Sequence, residues 1–283
     1  MGRRLTRTAF GIFGKMDLVV PLSTIIDTMY RRVCPLYGQD ERRRVQLLGS
    51  GVPFGSVKSS FLITAGHIVK AQGREPLLTW GAEGPEPLSG ERIRWDDNSD
   101  VGPDYDLGLI ALSRDEDSRL RRVYEFAHPE RVSLDQPPCP KIYYLLAGYP
   151  AVRNRARARL IGPPLATSLV SGDIRPIALK RALRKSEQAH FALFFDPQRL
   201  RTVRGEPFRI PKPQGMSGGG VWRLEMDRTT RLATALRLVG IGIEYHPLEK
   251  MFVATRIKEA IPLAHDLVDL AKGRMPGGVV RSA

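Results

Sequence analysis

Short apolar segments separated by turn-forming residues fill most of the chain, and this pattern constrains the fold more than any other feature. Glycine, serine or proline stands between neighbouring segments, which is typical of β-strands joined by tight turns. Amphipathic helices do not alternate with these segments, so a parallel α/β sheet is not expected. The sequence predicts an all-β protein whose antiparallel strands form sandwiches or barrels. The segments are 45–48, 52–57, 61–64, 107–112, 142–146, 165–170, 191–195, 220–223, 236–243 and 252–254.

Helical periodicity occurs near the two ends of the chain, at 17–31 and 257–272. A basic segment at 175–189 also looks helical, and the charged segment 113–123 is either a helical turn or a surface loop. Residues 81–105 are rich in glycine, proline and acidic side chains and predict a long exposed excursion before the strand at 107–112. Residues 127–141 contain four prolines and little periodicity, which predicts a connection between two β units. The predicted order is an N-terminal tail and helix (1–32), a first β unit (33–126), the connection (127–141), a second β unit (142–255) and a C-terminal helix and tail (256–283).

The charge of the chain is strongly basic, with 44 Lys and Arg against 30 Asp and Glu and a formal net charge of +14. Residues 150–212 hold fourteen basic and four acidic side chains. Two interpretations stay open: a solvated Arg-rich surface, or a docking surface for an acidic protein partner or a nucleic acid. No recognisable nucleic-acid-binding module accompanies the charge.

The two cysteines, Cys34 and Cys139, are too few and too far apart for a disulfide framework. We predict that both are buried thiols, although a bond between them stays open.

The N-terminus has basic and then apolar residues, but charged residues interrupt the apolar run and no clear signal-peptide cleavage site follows. With no segment long enough to span a membrane, we predict a cytoplasmic protein without membrane contact. Met16 is an alternative start, which would make residues 1–15 a loose tail.

Three segments carry residues suited to nucleophilic catalysis. In the first a histidine follows an apolar strand, in the second an acid precedes one, and in the third a serine lies in a glycine-rich turn. Each alone is typical of ordinary packing or turns, and their joint occurrence is the signal. The segments are Phe61-Leu-Ile-Thr-Ala-Gly-His67, Asp104-Tyr-Asp106-Leu-Gly-Leu-Ile-Ala-Leu112 and Pro213-Gln-Gly215-Met-Ser217-Gly-Gly-Gly220-Val-Trp222.

The chemistry explains why these residue types belong together. A serine nucleophile requires a base within hydrogen-bond reach and an acid that orients the base. It also requires backbone N–H groups where the oxyanion forms, and the N–H groups of Gly215 and Ser217 are the candidates. The other Asp, Glu and His residues show no metal-ligand spacing, so neither a metal nor a cofactor is predicted.

These three motifs resemble those of the chymotrypsin/trypsin-like serine peptidases, especially the bacterial members. The segment Thr64-Ala-Gly-His67 is similar to the family's histidine box, and Gly215-Met-Ser217-Gly-Gly is similar to its serine box. The order histidine, aspartate, serine is also the family's order, and Gly49-Ser-Gly51 resembles the strand before the histidine. The resemblance covers about residues 45–272.

The resemblance implies two six-stranded antiparallel β-barrels with flanking N-terminal and C-terminal helices. It further implies a peptidase in which Ser217 attacks, His67 is the base, Asp106 orients it, and Gly215 and Ser217 form the oxyanion hole. Activity is expected to rise near neutral pH as His67 loses its proton. Asp104 competes with Asp106 for the acid position, and Asp106 is preferred because it directly precedes the apolar run.

Two further expectations follow from the resemblance. Met216 stands where many animal relatives carry the aspartate that receives a new N-terminus after zymogen cleavage, so no N-terminal processing is expected. The residues expected near the pocket for the side chain before the cut are Ile243, Glu244, Tyr245 and Phe252. Glu244 either selects a basic residue there or faces solvent. The competing hypothesis is an inactive or regulated module of the same fold that binds an acidic partner or nucleic acid through 150–212.

Overall fold

The architecture is seen in a computed structural model of the chain. The structure describes residues 9–13, 28–39, 44–55, 59–72, 76–94, 105–132, 143–151, 154, 164, 166–171, 174–175, 186–196, 198–199, 213–226, 233–262, 264 and 280–281.

Sheet one is built around the first half of the chain. Among the described residues it has eight strands in the order β16-β7-β8-β4-β3-β2-β5-β6, all paired antiparallel. The strands are β2 (Cys34–Gln39), β3 (Val45–Gly55), β4 (Ser60–Ala65), β5 (Leu77–Trp80), β6 (Pro85–Leu88), β7 (Arg92–Arg94), β8 (Leu107–Ala111) and β16 (Val280–Arg281).

Sheet two is built around the second half and also has eight strands among the described residues. Their order is β1-β10-β9-β13-β14-β15-β12-β11, and only the β1–β10 pair of this described set is parallel. The strands are β1 (Ala9–Phe13), β9 (Tyr144–Gly148), β10 (Thr167–Ser171), β11 (Ile174–Arg175), β12 (His190–Phe194), β13 (Gly220–Met226), β14 (Ala233–His246) and β15 (Met251–Arg256).

Helices are short in the described part of the chain. Helix α1 (Gly66–Gln72) follows β4 directly, and helix α2 (Arg114–Leu120) follows β8. Two 3-10 turns occupy Pro129–Arg131 and Ile257–Glu259. None of the helices in the described residues has the length and apolar character needed to cross a membrane.

An apolar core joins the two sheets. One cluster contains Val52 and Ile63 from sheet one together with Leu145, Trp222 and Ile241 from sheet two, and all five are at most 2% exposed. The strands that contribute these residues are rich in β-branched and aromatic side chains, which pack well on a pleated surface. The functional segments therefore meet at a packed junction.

The predicted fold class is confirmed: the chain is mostly β, with two antiparallel units as expected for the chymotrypsin type. Each sheet has eight strands among the described residues, two more than the six expected, and β1 in sheet two and β16 in sheet one each account for one of the two. The exposed excursion predicted at 81–105 instead contains β6 and β7. The domain boundaries stay a prediction.

Parts of three other expectations lie outside the described residues. Of the predicted helix at 17–31 the structure describes 28–31, of which Thr28 and Met29 are α-helical, and their carbonyls accept the N–H groups of Arg31 and Arg32. Of the helix at 257–272 it describes 257–262 and 264, where the second 3-10 turn is followed by α-helical residues at 260–262 and 264. Cys34 is a free buried thiol, and burial raises its pKa to about 12. Cys139 lies outside the described residues.

Candidate active site

Strand pairing brings His67 and Asp106 together. Strands β4 and β8 pair antiparallel with Ala65 opposite Leu107, so the end of one strand lies beside the start of the other. His67 comes two residues after this pair and Asp106 one residue before it. A hydrogen bond from the Gly66 N–H to the Asp106 carbonyl, 2.9 Å long, closes the junction.

The Asp106 carboxylate holds His67 at two points. Its Oδ1 accepts the His67 backbone N–H at 2.8 Å, which satisfies one of the N–H groups that the start of a helix leaves unpaired. Its Oδ2 lies 2.7 Å from the His67 Nδ1. Because an ionised carboxylate only accepts, Nδ1 carries the proton and, in the neutral ring, Nε2 presents a lone pair. The imidazole is 48% exposed.

Ser217 lies in the nucleophile loop, which we define as residues 213–219, immediately before β13. Gly215 has a φ of +90° and Gly218 a φ of +80°, which are conformations that glycine adopts without strain. A Cβ on Gly215 would lie 2.6 Å from the Tyr149 carbonyl oxygen. Ser217 itself is half-buried. The loop is therefore a tight turn that presents a serine at the surface.

Two peptide groups of the nucleophile loop direct their N–H groups away from the protein scaffold. The Gln214 carbonyl accepts the Ala151 N–H at 2.6 Å, and the Met216 carbonyl accepts the Gly219 N–H at 2.9 Å. Because C=O and N–H point in opposite directions across a trans peptide, the N–H groups of the following residues are turned outward. Those residues are Gly215 and Ser217, and neither N–H has an acceptor within the described residues.

Ser50 of β3 ties the nucleophile loop to sheet one. Its N–H donates to the Ser217 carbonyl at 2.7 Å, and its hydroxyl donates to the Gly215 carbonyl at 2.8 Å. Its own carbonyl accepts the Thr64 hydroxyl at 2.7 Å, three residues before His67. In the part of the chain that is described, Ser217 is linked to His67 through this path and not by a direct hydrogen bond.

A second tie connects sheet two to the Asp106 side of the site. The Thr255 hydroxyl of β15 is buried and donates to the Tyr105 carbonyl at 2.6 Å, one residue before Asp106. The Tyr105 ring stacks on His190 with ring centres 6.3 Å apart. Both sides of the candidate site are thus fixed by hydrogen bonds that cross between the sheets.

The four residues expected at the specificity pocket lie at the end of β14 and the start of β15. Tyr245 and Phe252 are register partners whose ring centres are 6.5 Å apart, and Phe252 is buried. Ile243 belongs to a different apolar cluster, which also contains Ala65 of β4 and Ile68 of α1. Glu244 is half-buried, with Oε1 3.2 Å from His246 Nε2. The part of these four residues in specificity stays a prediction.

Several other predictions concern residues near the site or outside the described set. Met216 is fully buried in an apolar cluster of sheet two. Asp104 and most of the basic segment 150–212 lie outside the described residues. Within the residues that are described, no group of three or more His, Cys, Asp or Glu could hold a metal ion.

Sequence reasoning located the three motifs but missed the role of Ser50 and the helical position of His67. Gly49-Ser-Gly51 was singled out only for its resemblance to a strand. Ser50 and Gly215 are separated by 165 positions, so no local pattern indicates their hydrogen bond. The signal that the sequence offers is a serine between two glycines.

No protein-family model matches the chain, and no curated protein matches it in sequence. Similar solved structures include the MamO protease domain from Magnetospirillum magneticum, with 16% identity and a TM-score of 0.48, covering 84% of this chain and 97% of that one. A catalytically inactive tobacco etch virus protease complexed with substrate has 12% identity and a TM-score of 0.44, covering 90% and 89%. The tobacco vein mottling virus protease has 13% identity and a TM-score of 0.42, and the match covers 89% of this chain and 86% of that one. Likeness at this level carries no conclusion about the chemistry of this chain.

Proposed function

We propose that this chain is a serine endopeptidase that hydrolyses peptide bonds through an acyl-enzyme on Ser217. The observation that carries the proposal is the 2.7 Å contact between His67 Nδ1 and Asp106 Oδ2. Hydrogen bonds through Ser50 and Thr64 connect this pair to the nucleophile loop, which has two outward N–H groups. A base oriented by an acid, a serine, and unpaired backbone donors are the parts that acyl transfer requires.

In the first half of the reaction Ser217 Oγ bonds to the scissile carbonyl carbon while its proton passes to His67 Nε2. The carbonyl oxygen becomes an oxyanion and accepts the N–H groups of Gly215 and Ser217. The C–N bond then breaks as His67 gives the proton to the leaving amine. In the second half, water donates a proton to His67, attacks the ester carbon and releases the acid, with the proton returned to Ser217.

Met216 supports the further proposal that no zymogen-type cleavage is needed. Activation by a new N-terminus requires a carboxylate that pairs with the freed ammonium group. A fully buried methionine in an apolar cluster offers no charge to such a group, and an unpaired charge in that environment is strongly disfavoured. We therefore propose that the full-length chain is active as synthesised.

The test is labelling with a fluorophosphonate, which forms a phosphorus–oxygen bond to an activated serine and releases fluoride. The full-length wild-type chain is expected to be labelled at Ser217, and the Ser217→Ala and His67→Ala variants are not. Ser118→Ala is the matched control, because Ser118 is an exposed serine of α2. Hydrolysis of a fluorescent casein by the wild type, lost in Ser217→Ala, establishes that the bond cleaved is a peptide bond.

Each negative result has a distinct meaning. A folded wild type that is never labelled would sink the catalytic proposal and favour the inactive binding module. Labelling that appears only after trimming of the N-terminus would contradict the proposal on Met216. Labelling of Ser217 without casein hydrolysis would indicate another acyl-group hydrolase or a narrow sequence specificity.

A further inference from the structure

Ser50 lies outside the three motifs but makes several hydrogen bonds to the candidate site and to residues beside it. It is a β3 residue with 0% exposure. Its hydroxyl donates to the Gly215 carbonyl at 2.8 Å and accepts the Tyr149 N–H at 2.9 Å. Its N–H donates to the Ser217 carbonyl at 2.7 Å. The N–H and the hydroxyl of this buried serine are therefore directed at the nucleophile loop and the adjacent Tyr149, while its carbonyl accepts the Thr64 hydroxyl.

The two carbonyls that Ser50 holds belong to the residues with outward N–H groups. The Gly215 carbonyl fixes the peptide plane between Gly215 and Met216, and the Met216 N–H of the same plane donates to the Pro213 carbonyl at 3.0 Å. That plane stands between the two planes that carry the N–H groups of Gly215 and Ser217. A rotation of it would therefore change the angle between those two donors.

The hydrogen bond of the Ser50 side chain depends on the residue type, whereas the hydrogen bonds of its backbone do not. Any residue except proline at this position could keep the N–H bond to the Ser217 carbonyl and the carbonyl bond to the Thr64 hydroxyl. Only a hydroxyl residue would keep the bond to the Gly215 carbonyl. A Cβ on Gly148 would approach the Ser50 hydroxyl oxygen to 3.0 Å, so the hydroxyl occupies a closely packed position.

We infer that Ser50 is a positioning residue whose hydroxyl sets the geometry of the oxyanion-binding N–H pair. This inference rests on the proposed function, since it assigns a role within the same reaction. Oxyanion donors act through the transition state more than through the bound substrate. Loss of the hydroxyl should therefore lower kcat and leave KM nearly unchanged, whereas general loosening of the fold would not divide the two constants in this way.

The experiment compares Ser50→Ala with Thr79→Val. Thr79 is a matched control because it is also fully buried in sheet one and its hydroxyl also donates to a backbone carbonyl, that of Pro35 at 2.9 Å. Misplacement of catalytic groups by about an ångström costs up to roughly 100-fold. We expect Ser50→Ala to slow fluorophosphonate labelling and kcat on casein peptides by about 10- to 100-fold, and Thr79→Val to leave both rates within about twofold.

A second pair covers the case in which Ser50→Ala does not fold. Ser50→Thr and Ser50→Val have nearly the same shape and share any steric cost, but only the threonine keeps the hydroxyl. The threonine variant should then label faster than the valine variant by the same factor. Equal rates within this pair, a wild-type rate for a folded Ser50→Ala, or an equal loss in Thr79→Val would each overturn the inference.

A catalysis-independent measurement separates this inference from the proposed function. The N–H groups of Met216, Gly218 and Gly219 donate to carbonyls in or beside the nucleophile loop, so they should be protected from hydrogen exchange. In Ser50→Ala their exchange should accelerate, and in Thr79→Val it should not. If the wild type is never labelled, the proposed function fails. Unchanged exchange in Ser50→Ala would then also overturn the positioning of the loop by Ser50.

Discussion

Asp106 combines a strained backbone with two hydrogen bonds to His67. Its φ of +44° lies in the left-handed region, which non-glycine residues occupy at a cost of about 1–3 kcal/mol. Aspartate tolerates this region better than most residues. The conformation lets one oxygen reach the His67 N–H while the other reaches Nδ1. The strain is thus offset by contacts that orient the imidazole.

The first prediction concerns the acid of the triad. Asp106→Asn should lower the labelling rate of Ser217 by about 10³- to 10⁴-fold, because an amide can donate to Nδ1 and stabilise the wrong tautomer. Asp104→Asn is the control, with the same chemical change two positions away. Labelling kinetics near neutral pH measure both. A loss in Asp104→Asn that equals or exceeds the loss in Asp106→Asn would show that the acid has been misassigned.

The second prediction concerns Gly215 and its φ of +90°. In Gly215→Ala the new Cβ would meet the Tyr149 carbonyl oxygen at 2.6 Å and the Ala151 nitrogen at 2.8 Å, so the nucleophile loop must shift. We expect at least a 100-fold loss of labelling.

Gly84→Ala separates steric displacement of the loop from backbone strain. Gly84 also has a positive φ, +143°, but a Cβ there would have no atom within 4 Å. Thermal unfolding should report a loss of stability for Gly84→Ala, while its labelling rate stays at the wild-type level. Nearly wild-type labelling of Gly215→Ala would contradict the role given to the loop geometry.

At the scale of elements, Glu116 joins helix α2 to the segment between β6 and β7. Ser113 caps the helix in a capping box: its hydroxyl accepts the Glu116 N–H, and the Glu116 carboxylate accepts the Ser113 N–H at 2.8 Å. Its other oxygen accepts the Ser89 N–H at 2.7 Å and the Ser89 hydroxyl at 3.0 Å. Burial would raise the pKa of Glu116, but these N–H and hydroxyl donors outweigh it and lower the pKa below its usual value.

The third prediction follows from the sign of that change. A carboxyl group with a lowered pKa in the folded state stabilises the fold above its unfolded pKa of about 4.3, and this contribution is lost as pH falls through the folded pKa. Glu116→Gln should therefore be less stable than wild type at pH 7, by about 1–3 kcal/mol for the lost partner of buried donors. The difference should shrink in acid.

Urea unfolding at pH 7 and near pH 3 measures this difference. Glu83→Gln, at an exposed turn position, is the control and should differ little from wild type at either pH. A Glu116→Gln deficit that stays constant between the two pH values would show that the charge of Glu116 does not stabilise the junction.

Some strands can be predicted from the sequence pattern and others cannot. Strands β4 and β8 were predictable, because both are continuous apolar runs with most of their residues buried. Strands β6 and β7 were not, because β6 contains Pro85 and Pro87 and β7 has two arginines among its three residues. These two strands are defined by their pairing with β5 and β8, which depends on tertiary structure and not on a local sequence pattern. The same holds for the bond of Ser50 to Gly215, whereas His67, Asp106 and Ser217 lie in motifs with local signatures.

At the scale of the whole molecule, the two sheets share one apolar core. Leu145 of β9 is completely buried in the cluster that also contains Val52 and Ile63 of sheet one. Neither sheet can expose this cluster without removing apolar contacts from the other, and buried apolar area is the main favourable contribution to folding. The site depends on this coupling, because His67 and Asp106 lie at the ends of strands of sheet one and Ser217 lies in the loop before β13 of sheet two.

The last prediction is that the two sheets unfold together. Trp80 reports on sheet one and Trp222 on sheet two. We compare a chain that keeps only Trp80 with one that keeps only Trp222, with phenylalanine at the other tryptophan positions. Leu145→Ala should lower the free energy of unfolding by about 2–5 kcal/mol and shift the urea midpoint equally in both reporter chains.

Leu248→Ala is the control for that measurement, because Leu248 is 91% exposed and its loss should shift neither midpoint. A Leu145→Ala shift confined to the Trp222 reporter, or two separate transitions, would mean that the sheets are independent units. In that case sheet one could hold His67 and Asp106 in place while sheet two unfolds around Ser217, and activity would be lost before the Trp80 signal changed. Coincident loss of both signals and of labelling is the result that a shared core requires.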